Sequence, residues 1–237
     1  MTEWFEEWFG EEYLQLYPHR DDAEAVRAVE LLVEATGLQP HWRVLDVACG
    51  AGRHARAFRA AGARCVGVDL SATLLRIARG VTDAFLVRAD MRALPIRTGS
   101  MDLTVNLFTS FGYFGRESDH ATALQEMVAT VRPGGWFAID FLNPATVRAR
   151  LVPCERVAAG GREVEVTRAL SPDGHHVSKT IRTEGRSFVE RVRLFEPEEI
   201  EAMLRRTGIA VRRRFGDYDA SPMQPGSPRT ILVGQTA

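Results

Sequence analysis

The sequence predicts an α/β protein built on a mostly parallel sheet with helices on both faces. Short apolar runs alternate with helix-length amphipathic segments between residues 22 and 142, which is the pattern of βαβ units. A glycine-rich turn, residues 48–52, follows the first apolar run. After residue 153 the pattern changes to strand after strand separated by turn signals, which predicts an antiparallel insertion within the α/β domain.

Helices and strands alternate through the first half of the chain. A helix is predicted over 22–36, where apolar residues share a face and Gly37 ends it. Ser71 is a favourable N-cap for a later helix that runs to Ala78. The remaining predicted elements are strands at 42–47, 64–69, 84–88, 102–107 and 136–142, a helix from the glycine-rich turn to about Gly62, a helix over 118–132, and a tight turn at 132–135.

The second half opens with the predicted antiparallel strands, from Pro153 to Phe195. Turn signals lie at 160–161, at 171–174 and near Gly185. A helix is predicted over 197–206, because Pro197 suits a first helical turn and Gly208 suits a C-cap. Two last strands are predicted at 209–216 and 229–235.

Composition excludes several classes of protein. The net charge of −1 gives no general attraction to phosphate backbones, so a nucleic-acid partner is disfavoured. The three cysteines have no CxxC spacing, and no His, Cys and Asp cluster has metal-ligand spacing, so neither a disulfide framework nor a metal is expected. The sequence begins without a basic signal region, and no apolar run approaches the ~18 residues of a membrane span. We therefore expect a cytoplasmic protein without a membrane partner.

The strongest motif is VLDVACGAGRHA, residues 44–55. Gly50 and Gly52 lie where a strand turns into a helix, so backbone and helix N–H groups can approach a ligand. The segment matches a weak form of the dinucleotide fingerprint, and Asp69 ends the next strand at a distance suited to ribose hydroxyls. Both NAD(P) and another adenosine cofactor fit these residues.

Acidic residues near this turn favour a cationic cofactor. Asp46 lies inside the strand before the turn, where a carboxylate would repel a pyrophosphate but attract an ammonium or a sulfonium. Asp90 and Met91 follow the third strand. A carboxylate there can accept from the exocyclic amine of adenine, and a methionine can pack on the ring.

The sequence resembles the class I S-adenosylmethionine-dependent methyltransferases over residues 40–145. The segments that carry the resemblance are VLDVACGAG (44–52), GVDLS (67–71), ADMRALP (89–95), DLTVNLF (102–108) and VRPGGWFAIDF (131–141). The resemblance implies a Rossmann-like sheet of seven strands, the last antiparallel, with 209–216 and 229–235 as the final pair. Ala48 stands where the family usually has glycine.

The resemblance also implies roles for individual residues toward S-adenosyl-L-methionine, whose product is S-adenosyl-L-homocysteine. Asp69 would hold the ribose with Leu70 against the adenine, and Asp90 and Met91 would hold the adenine. Tyr17 and Arg20 would reach the carboxylate of the cofactor or of an acidic substrate. The alternative is that both residues lie on the surface. The residues expected at the methionine end are Asp46, Ala48, Cys49, Gly50, Ala51 and Gly52, with Leu107 at the edge of the fourth strand.

The N-terminal segment and the antiparallel insertion resemble those of small-molecule methyltransferases. Glycine and amino-sugar N-methyltransferases are among the relatives in this branch. Phe5, Phe9, Tyr13 and Tyr17 recur at helical spacing, and such N-terminal segments often close over the cofactor as a lid. The antiparallel insertion often walls the acceptor site. The expected division of the single domain is a lid at 1–21, a cofactor-binding core at 22–145, the insertion at 150–196, and a C-terminal helix with two strands at 197–237.

The segment NLFTSFGYF, residues 106–114, starts at the carboxyl edge of the fourth strand, where open α/β sheets place ligands. We expect Phe108 and Phe114 to belong to the core. The residues expected to line the acceptor pocket are Tyr13, Thr109, Ser110, Phe111, Tyr113 and Asn143. The implied catalysis is mainly positional, so no catalytic residue is assigned; candidates for a base are His19, Tyr17 and Tyr113.

The expected function is methyl transfer to a nitrogen or oxygen of a small metabolite. No D/N-P-P-Y-type motif follows the fourth strand, which counts against a nucleic-acid amine as acceptor. The alternatives are a nonenzymatic cofactor-binding or scaffold protein, a methyltransferase acting on RNA or protein, and an NAD-linked oxidoreductase, against which Asp46 argues. A homodimer stays open.

Overall fold

The computed structural model describes residues 3–10, 22–159, 162–183 and 185–236. Its main feature is a seven-stranded sheet. The strands of this sheet are β1 (Arg43–Val47), β2 (Arg64–Asp69), β3 (Phe85–Arg88), β4 (Met101–Asn106), β5 (Val131–Leu142), β10 (Ile209–Phe215) and β11 (Arg229–Thr236). The helices in the described ranges are α1 (Trp4–Trp8), α2 (Asp22–Thr36), α3 (Arg53–Ala60), α4 (Ala72–Ala78), α5 (Glu117–Ala129), α6 (Pro144–Arg150) and α7 (Pro197–Arg206).

The sheet order is β10-β11-β5-β4-β1-β2-β3. β1 to β5 pair in parallel, whereas β11 pairs antiparallel with both β5 and β10. The chain builds outward from β1 through β3 and then returns to the other side of β1 with β4. The strand order therefore reverses between β1 and β4, and open α/β sheets bind their ligands at such a switch point.

Apolar layers cover both faces of this sheet. Val44 packs with residues of α2 and α3 on one face, while Leu45 packs with residues of α5 on the other. Successive strand residues point to opposite faces, so both layers come from the continuous apolar runs of the sequence. The Rossmann-like architecture expected from the sequence is confirmed.

A second, antiparallel sheet of four strands follows β5 in the chain, and each of its strands pairs with the next. Val164, Val166 and Ile181 of this sheet pack with Trp8 of α1 and Leu74 of α4. The insertion is therefore attached to the α/β part through an apolar cluster. Its strands are β6 (Cys154–Ala159), β7 (Arg162–Leu170), β8 (His176–Thr183) and β9 (Arg186–Arg193).

Some local predictions were wrong. The helix expected over 118–132 ends at Ala129, and β5 already begins at Val131, so 132–135 lie within an irregular stretch of strand. Gly134 there has a φ of +69°, and the register with β4 shifts nearby. α6 was not predicted, although the Asn143-Pro144 pair is a typical helix start. The turn expected at 160–161 lies outside the described residues.

His120, on α5, is buried against aromatic rings. Its ring centroid lies 5.4 Å from that of Phe111, 5.3 Å from that of Phe114 and 5.1 Å from that of Phe195. Burial lowers the pKa of His120 below its ordinary value of 6.5. The unfolded chain therefore binds a proton below about pH 6.5 that the folded chain resists, so this group removes stability as the pH falls through that value.

His120→Phe is expected to flatten the loss of stability between about pH 7.5 and pH 5, because phenylalanine fits an aromatic environment and takes no proton. Urea unfolding at both pH values measures the change. The exposed His175 supplies the matched control, His175→Gln. An unchanged pH dependence in His120→Phe would contradict the assignment.

Candidate active site

A cavity of about 280 Å³ opens at the carboxyl ends of β1 to β4, at the switch point of the sheet. Each of these strands runs directly into a segment that lines the cavity. The lining residues are Phe5, Phe9, Asp22, Ala48, Cys49, Gly50, Ala51, Arg53, His54, Val68, Asp69, Leu70, Ser71, Leu74, Val81, Ala89, Asp90, Met91, Leu107, Phe108, Ser110, Tyr113 and Phe114.

The turn between β1 and α3 takes left-handed backbone conformations. Ala48, Gly50 and Gly52 have φ values of +60°, +55° and +86°. Ala48 occupies a conformation that strains any residue with a Cβ, which explains why the resemblance leads one to expect glycine there. Gly52 is the N-cap of α3 and does not itself line the cavity, but the turn residues 48–51 before it do, so the start of a helix borders the cavity.

Gly52 is also constrained by packing. A Cβ at this position would lie 3.0 Å from Cβ of Ala78 and 3.1 Å from Cγ2 of Thr82. Gly52→Ala is therefore expected to lower the free energy of unfolding by about 2 kcal/mol, from backbone strain and overpacking together.

The matched control for this variant is Gly99→Ala. Gly99 has a φ of +64° but nothing within 4 Å of an added Cβ, so it carries the backbone strain without the clash. Chemical denaturation of both variants separates the two effects. Equal losses of stability would show that contact with α4 plays no part.

Two carboxylates flank the turn, the partly buried Asp69 and the fully buried Asp46. Asp69 accepts hydrogen bonds from the backbone N–H of Gly50 (2.8 Å, to Oδ2) and of Ser71 (2.8 Å, to Oδ1), which fixes the turn to the end of β2. Burial raises the pKa of Asp69, against the opposing effect of these hydrogen bonds. Asp69 thus lies on the cavity wall with its orientation set by backbone donors.

Asp46 is 1 % exposed, and its Oδ2 has no hydrogen-bond partner among the described residues. The pKa of Asp46 is raised to about 7, chiefly by burial and then by the negative charge of Asp69, while Arg53 opposes the shift. A buried acceptor without a donor is unfavourable. A cation or a donor that approached through the neighbouring turn would relieve this, which is the chemistry predicted for the methionine end.

Asp90 lines the cavity after β3 and is held by Arg92. The Arg92 guanidinium lies 2.6 Å from Oδ2 of Asp90 and 2.7 Å from Oε2 of Glu3. Partial burial raises the pKa of Asp90, but the hydrogen bonds from Arg92 outweigh it and lower the pKa overall. Arg92 therefore links the predicted adenine side of the cavity to the N-terminal segment.

α1 crosses the cavity and reaches both sheets. Phe5 and Phe9 line the cavity, and Oγ of Ser71 donates to the carbonyl oxygen of Phe9 at 2.5 Å. Nε1 of Trp8 donates to Oε1 of Glu190 on β9 at 2.7 Å. Residues of this short helix and its C-terminal end therefore form part of the cavity wall, and the lid at 1–21 stays a prediction. The other predicted residues of this region, Tyr13, Tyr17, His19 and Arg20, lie outside the described residues.

The rings after β4 are arranged differently from the prediction. Phe111 is fully buried against Phe195 at 5.3 Å, away from the cavity, so its predicted place in the acceptor pocket is wrong. Phe114 is buried in the core as expected and also borders the cavity, whereas Phe108, likewise expected in the core, is only partly buried and lines the cavity. The Arg53 guanidinium lies 4.2 Å from the Phe108 ring centroid. Ser110 and Tyr113 line the cavity, and their role towards the acceptor stays a prediction.

Thr109 and Asn143 also do not line the cavity. The backbone of Thr109 instead donates to the carbonyl oxygen of Asp140 at 3.0 Å. Nδ2 of Asn143 donates to backbone carbonyls at 224, 225 and 227, and its Oδ1 accepts from Ala145 N–H. Asn143 therefore caps α6 and fixes the loop before β11, and its predicted pocket role is wrong.

Sequence reasoning missed several cavity residues. Arg53 begins α3 immediately after the glycine-rich turn, and its Nη1 lies 2.9 Å from Oε2 of Glu24. Its position in the first turn after the motif was the available signal. Asp22 and Phe108 were missed because their approach depends on how α2 and the loop after β4 fold back over the sheet.

The described residues contain neither a cluster of metal ligands nor a membrane-spanning helix. Among the described residues, no three His, Cys, Asp or Glu side chains come together as a metal site would need. Within the same ranges, no helix has both the length and the apolarity to cross a membrane.

The switch-point cavity, the left-handed turn and the carboxylates of Asp46 and Asp69 beside it define a Rossmann-like enzyme for a nucleotide-derived cofactor. Comparison with known proteins narrows this class. A family model described as a methyltransferase domain matches residues 44–135. A dTDP-3-amino-3,6-dideoxy-alpha-D-glucopyranose N,N-dimethyltransferase of Streptomyces fradiae is 30% identical over 206 residues, covering 78% of this chain and 76% of the relative. The chain belongs to the class I S-adenosylmethionine-dependent methyltransferases.

Solved structures agree with this fold. The CcbJ methyltransferase from Streptomyces caelestis superposes with a TM-score of 0.80 at 20% identity, covering 98% of this chain and 99% of the other. DesVI of Streptomyces venezuelae gives a TM-score of 0.70 at 25% identity, covering 95% of this chain and 97% of the other. The similarity extends over almost the whole chain, so it includes the antiparallel insertion as well as the core.

Proposed function

We propose that this enzyme transfers the methyl group of S-adenosylmethionine to a nitrogen or oxygen of a small metabolite at the switch-point cavity. The observation that carries the proposal is the unpartnered, buried carboxylate oxygen of Asp46 beside a left-handed, glycine-rich turn. A cofactor with an ammonium and a sulfonium fits such a site better than one with a pyrophosphate.

The residues present suit each part of this cofactor. Asp46 and the backbone of 48–52 would hold the methionine end. An ionised carboxylate has about four lone-pair sites, so Asp69 and Asp90 can accept ligand donors in addition to the protein donors they already bind. Asp69 would then take the ribose hydroxyls, while Asp90, Met91 and Leu70 would enclose the adenine. The bound cofactor supplies an electrophilic methyl group on a positively charged sulfur.

The chain itself would mainly orient the acceptor and exclude water. Phe5, Phe9, Tyr113 and Phe114 form an aromatic wall of the cavity. Such a wall strengthens electrostatic interactions inside and holds a nucleophile in line with the methyl group. A base is needed only for an acceptor that arrives protonated. Tyr113 lies on the cavity and remains a candidate, together with His19 and Tyr17 of the N-terminal segment.

An amine-bearing sugar is the acceptor class that we propose to test first, because the relative from Streptomyces fradiae is named for methylating an amino sugar. A hydroxyl acceptor is the second class. Residues 1–21 are proposed as the lid, 22–145 as the cofactor-binding core, 150–196 as the acceptor wall and 197–237 as the closing helix and strands. A metal-free, cytoplasmic enzyme, alone or as a homodimer, is consistent with the proposal.

The proposal is tested by measuring S-adenosylhomocysteine release from S-adenosylmethionine with a panel of amino-sugar nucleotides, simple amines and hydroxylated aromatics. We expect turnover with at least one small acceptor, and none with DNA or RNA oligonucleotides. Asp46→Asn is the matched control, and its turnover is expected to fall with its affinity for the cofactor. Tight binding of S-adenosylhomocysteine without turnover on any small acceptor would favour a scaffold role or a macromolecular acceptor instead.

A further inference from the structure

The loop after β4 holds two consecutive residues in the left-handed region. Phe108 has a φ of +58° and Thr109 a φ of +60°. This conformation is uncommon for residues with side chains, and for a β-branched residue such as threonine it is an outlier. Strained residues persist only where the surroundings enforce them, and they cluster at functional sites. Phe108 lines the cavity and lies next to Leu107, which lines it as well.

One residue supplies the backbone contacts that hold this conformation. Oδ2 of Asp140, on β5, accepts a hydrogen bond from Phe108 N–H at 2.8 Å. The carbonyl oxygen of the same residue accepts from Thr109 N–H at 3.0 Å. Both strained peptide units are therefore anchored to a single position on the neighbouring strand.

Asp140 is itself fixed by two partners that are distant in sequence. Nε of Arg229 donates to Oδ1 at 2.5 Å and its Nη2 donates to Oδ2 at 2.8 Å, while the Tyr218 hydroxyl donates to Oδ2 at 2.5 Å. The carboxylate is fully buried. The Arg229 guanidinium also lies 5.0 Å from the Phe108 ring centroid. The same ion pair thus contacts both the backbone and the ring of the strained residue.

We infer that Asp140 is a positioning residue of the active site. Held by Arg229 and Tyr218, its carboxylate keeps Phe108 and Thr109 left-handed, so that the wall formed by Leu107, Phe108 and Ser110 faces the bound ligand. The identity of the bound ligand rests on the proposed function. The claim that Asp140 holds the loop in its left-handed conformation does not. Nothing in the sequence motifs assigns a role to Asp140, Arg229 or Tyr218.

Asp140→Asn tests the inference, because asparagine keeps the size of the side chain but removes its charge and one acceptor. Hydrogen–deuterium exchange of the amides at 107–112 is expected to rise roughly tenfold or more, with exchange in β1 and β2 unchanged. Binding of S-adenosylhomocysteine, measured by calorimetry, is expected to weaken by roughly tenfold. Tyr218→Phe, which removes one hydrogen bond, should give smaller changes in the same amides.

Thr109→Gly provides the second variant. Glycine adopts a φ near +60° without strain, so it should restore at least half of the lost affinity, on a logarithmic scale, when combined with Asp140→Asn. The effect of Thr109→Gly in the wild-type background is measured separately, and the coupling between the two changes is the result sought. A residue that only stabilised the fold would not be rescued in this way.

Three results would overturn the inference. These are unchanged exchange at 107–112 in Asp140→Asn, increased exchange throughout the sheet, and loss of affinity that Thr109→Gly does not recover. If Asp140→Asn does not fold, Tyr218→Phe alone and with Thr109→Gly provides the same comparison. Failure of the wild-type protein to bind S-adenosylhomocysteine would contradict the proposed function, whereas the exchange measurements would still decide the role of Asp140.

Discussion

Asp46→Asn is expected to weaken binding of S-adenosylhomocysteine by roughly a hundredfold and, at the same time, to stabilise the ligand-free protein above neutral pH. The Asp46 carboxylate is buried, and one of its oxygens lacks a hydrogen-bond partner in the described structure. Such a charge disfavours the folded state but attracts the ammonium of the cofactor. Removing it should therefore improve stability and damage binding.

The pH dependence follows from the raised pKa of Asp46. Burial moves this pKa from 3.8 to about 7, so the folded chain binds a proton between these values that the unfolded chain has released. The contribution of Asp46 to stability consequently declines as the pH rises through this window, and the penalty is complete above about pH 7. The melting temperature of Asp46→Asn should exceed that of the wild type by roughly 5 °C at pH 8, and the difference should vanish below pH 4.

Cofactor affinity should also depend on the ionisation of Asp46, but it should rise with pH where stability declines, because the ammonium of the cofactor interacts with the ionised carboxylate. Affinity for S-adenosylhomocysteine is expected to fall as the pH drops below about 7 in the wild type, and to lose that dependence in Asp46→Asn. Methylthioadenosine lacks the amino-acid end and serves as the matched ligand, with similar affinity for both proteins. Equal losses for the two ligands would show that Asp46 acts on the whole cavity and not on the methionine end.

Phe111→Ala and Tyr113→Ala are expected to damage different properties, although the two residues are only two positions apart. The first should lose stability, and the second should lose activity or acceptor affinity. Phe111 is fully buried in the core, so its truncation should lower the free energy of unfolding by about 3–5 kcal/mol and the melting temperature by roughly 10 °C. Tyr113 is on the cavity wall, where its ring centroid lies 5.1 Å from that of Trp4 and 5.6 Å from that of Phe9. Its truncation should open the contact with α1 and reduce turnover or acceptor affinity by roughly tenfold at little expense of stability.

Thermal melts together with steady-state kinetics on one accepted substrate measure both effects. The pair controls for general damage, because each variant should be close to the wild type in the property that the other loses. Loss of acceptor affinity in Phe111→Ala at a temperature well below its melting point would indicate that this ring contacts the acceptor. That result would contradict its assignment to the core.

The fold was largely predictable because its determinants are local. The central apolar runs are long enough for strands buried on both faces, and some helices carry clear start and stop signals, such as Ser71 and Gly208. The side chain of Ser71 does accept from Leu74 N–H as an N-cap. The segment around 48–52 was equally predictable, because its left-handed turn requires small residues at fixed spacing.

The orientation of the rings after β4 was not predictable from the pattern. Alternation along a strand tells which residues share a face only while the chain stays extended. Phe108, Thr109 and Gly112 all have positive φ values, and each changes the direction in which the following side chains point. The sequence pattern therefore placed Phe111 in the pocket and Phe108 in the core, whereas the structure buries Phe111 and places Phe108 on the cavity. The conformation depends on Asp140 and Arg229, which pair with the loop from other strands, so no local signal revealed it.

Asn143 shows a different kind of error. Its position at the end of β5 indicated a site residue, but the following proline marks the start of α6, and the side chain caps that helix. In this case the proline after Asn143 already indicated in the sequence that the side chain caps a helix.

The central claim, that the switch-point cavity binds the adenosine cofactor of methyl transfer and not a dinucleotide, is tested most directly by calorimetric titration of the wild-type protein with S-adenosylhomocysteine and with NADH. We expect one S-adenosylhomocysteine to bind per chain, and NADH to bind at least roughly a hundredfold more weakly, because its pyrophosphate would meet Asp46 and Asp69. NADH that bound as tightly as S-adenosylhomocysteine, or better, would contradict the account.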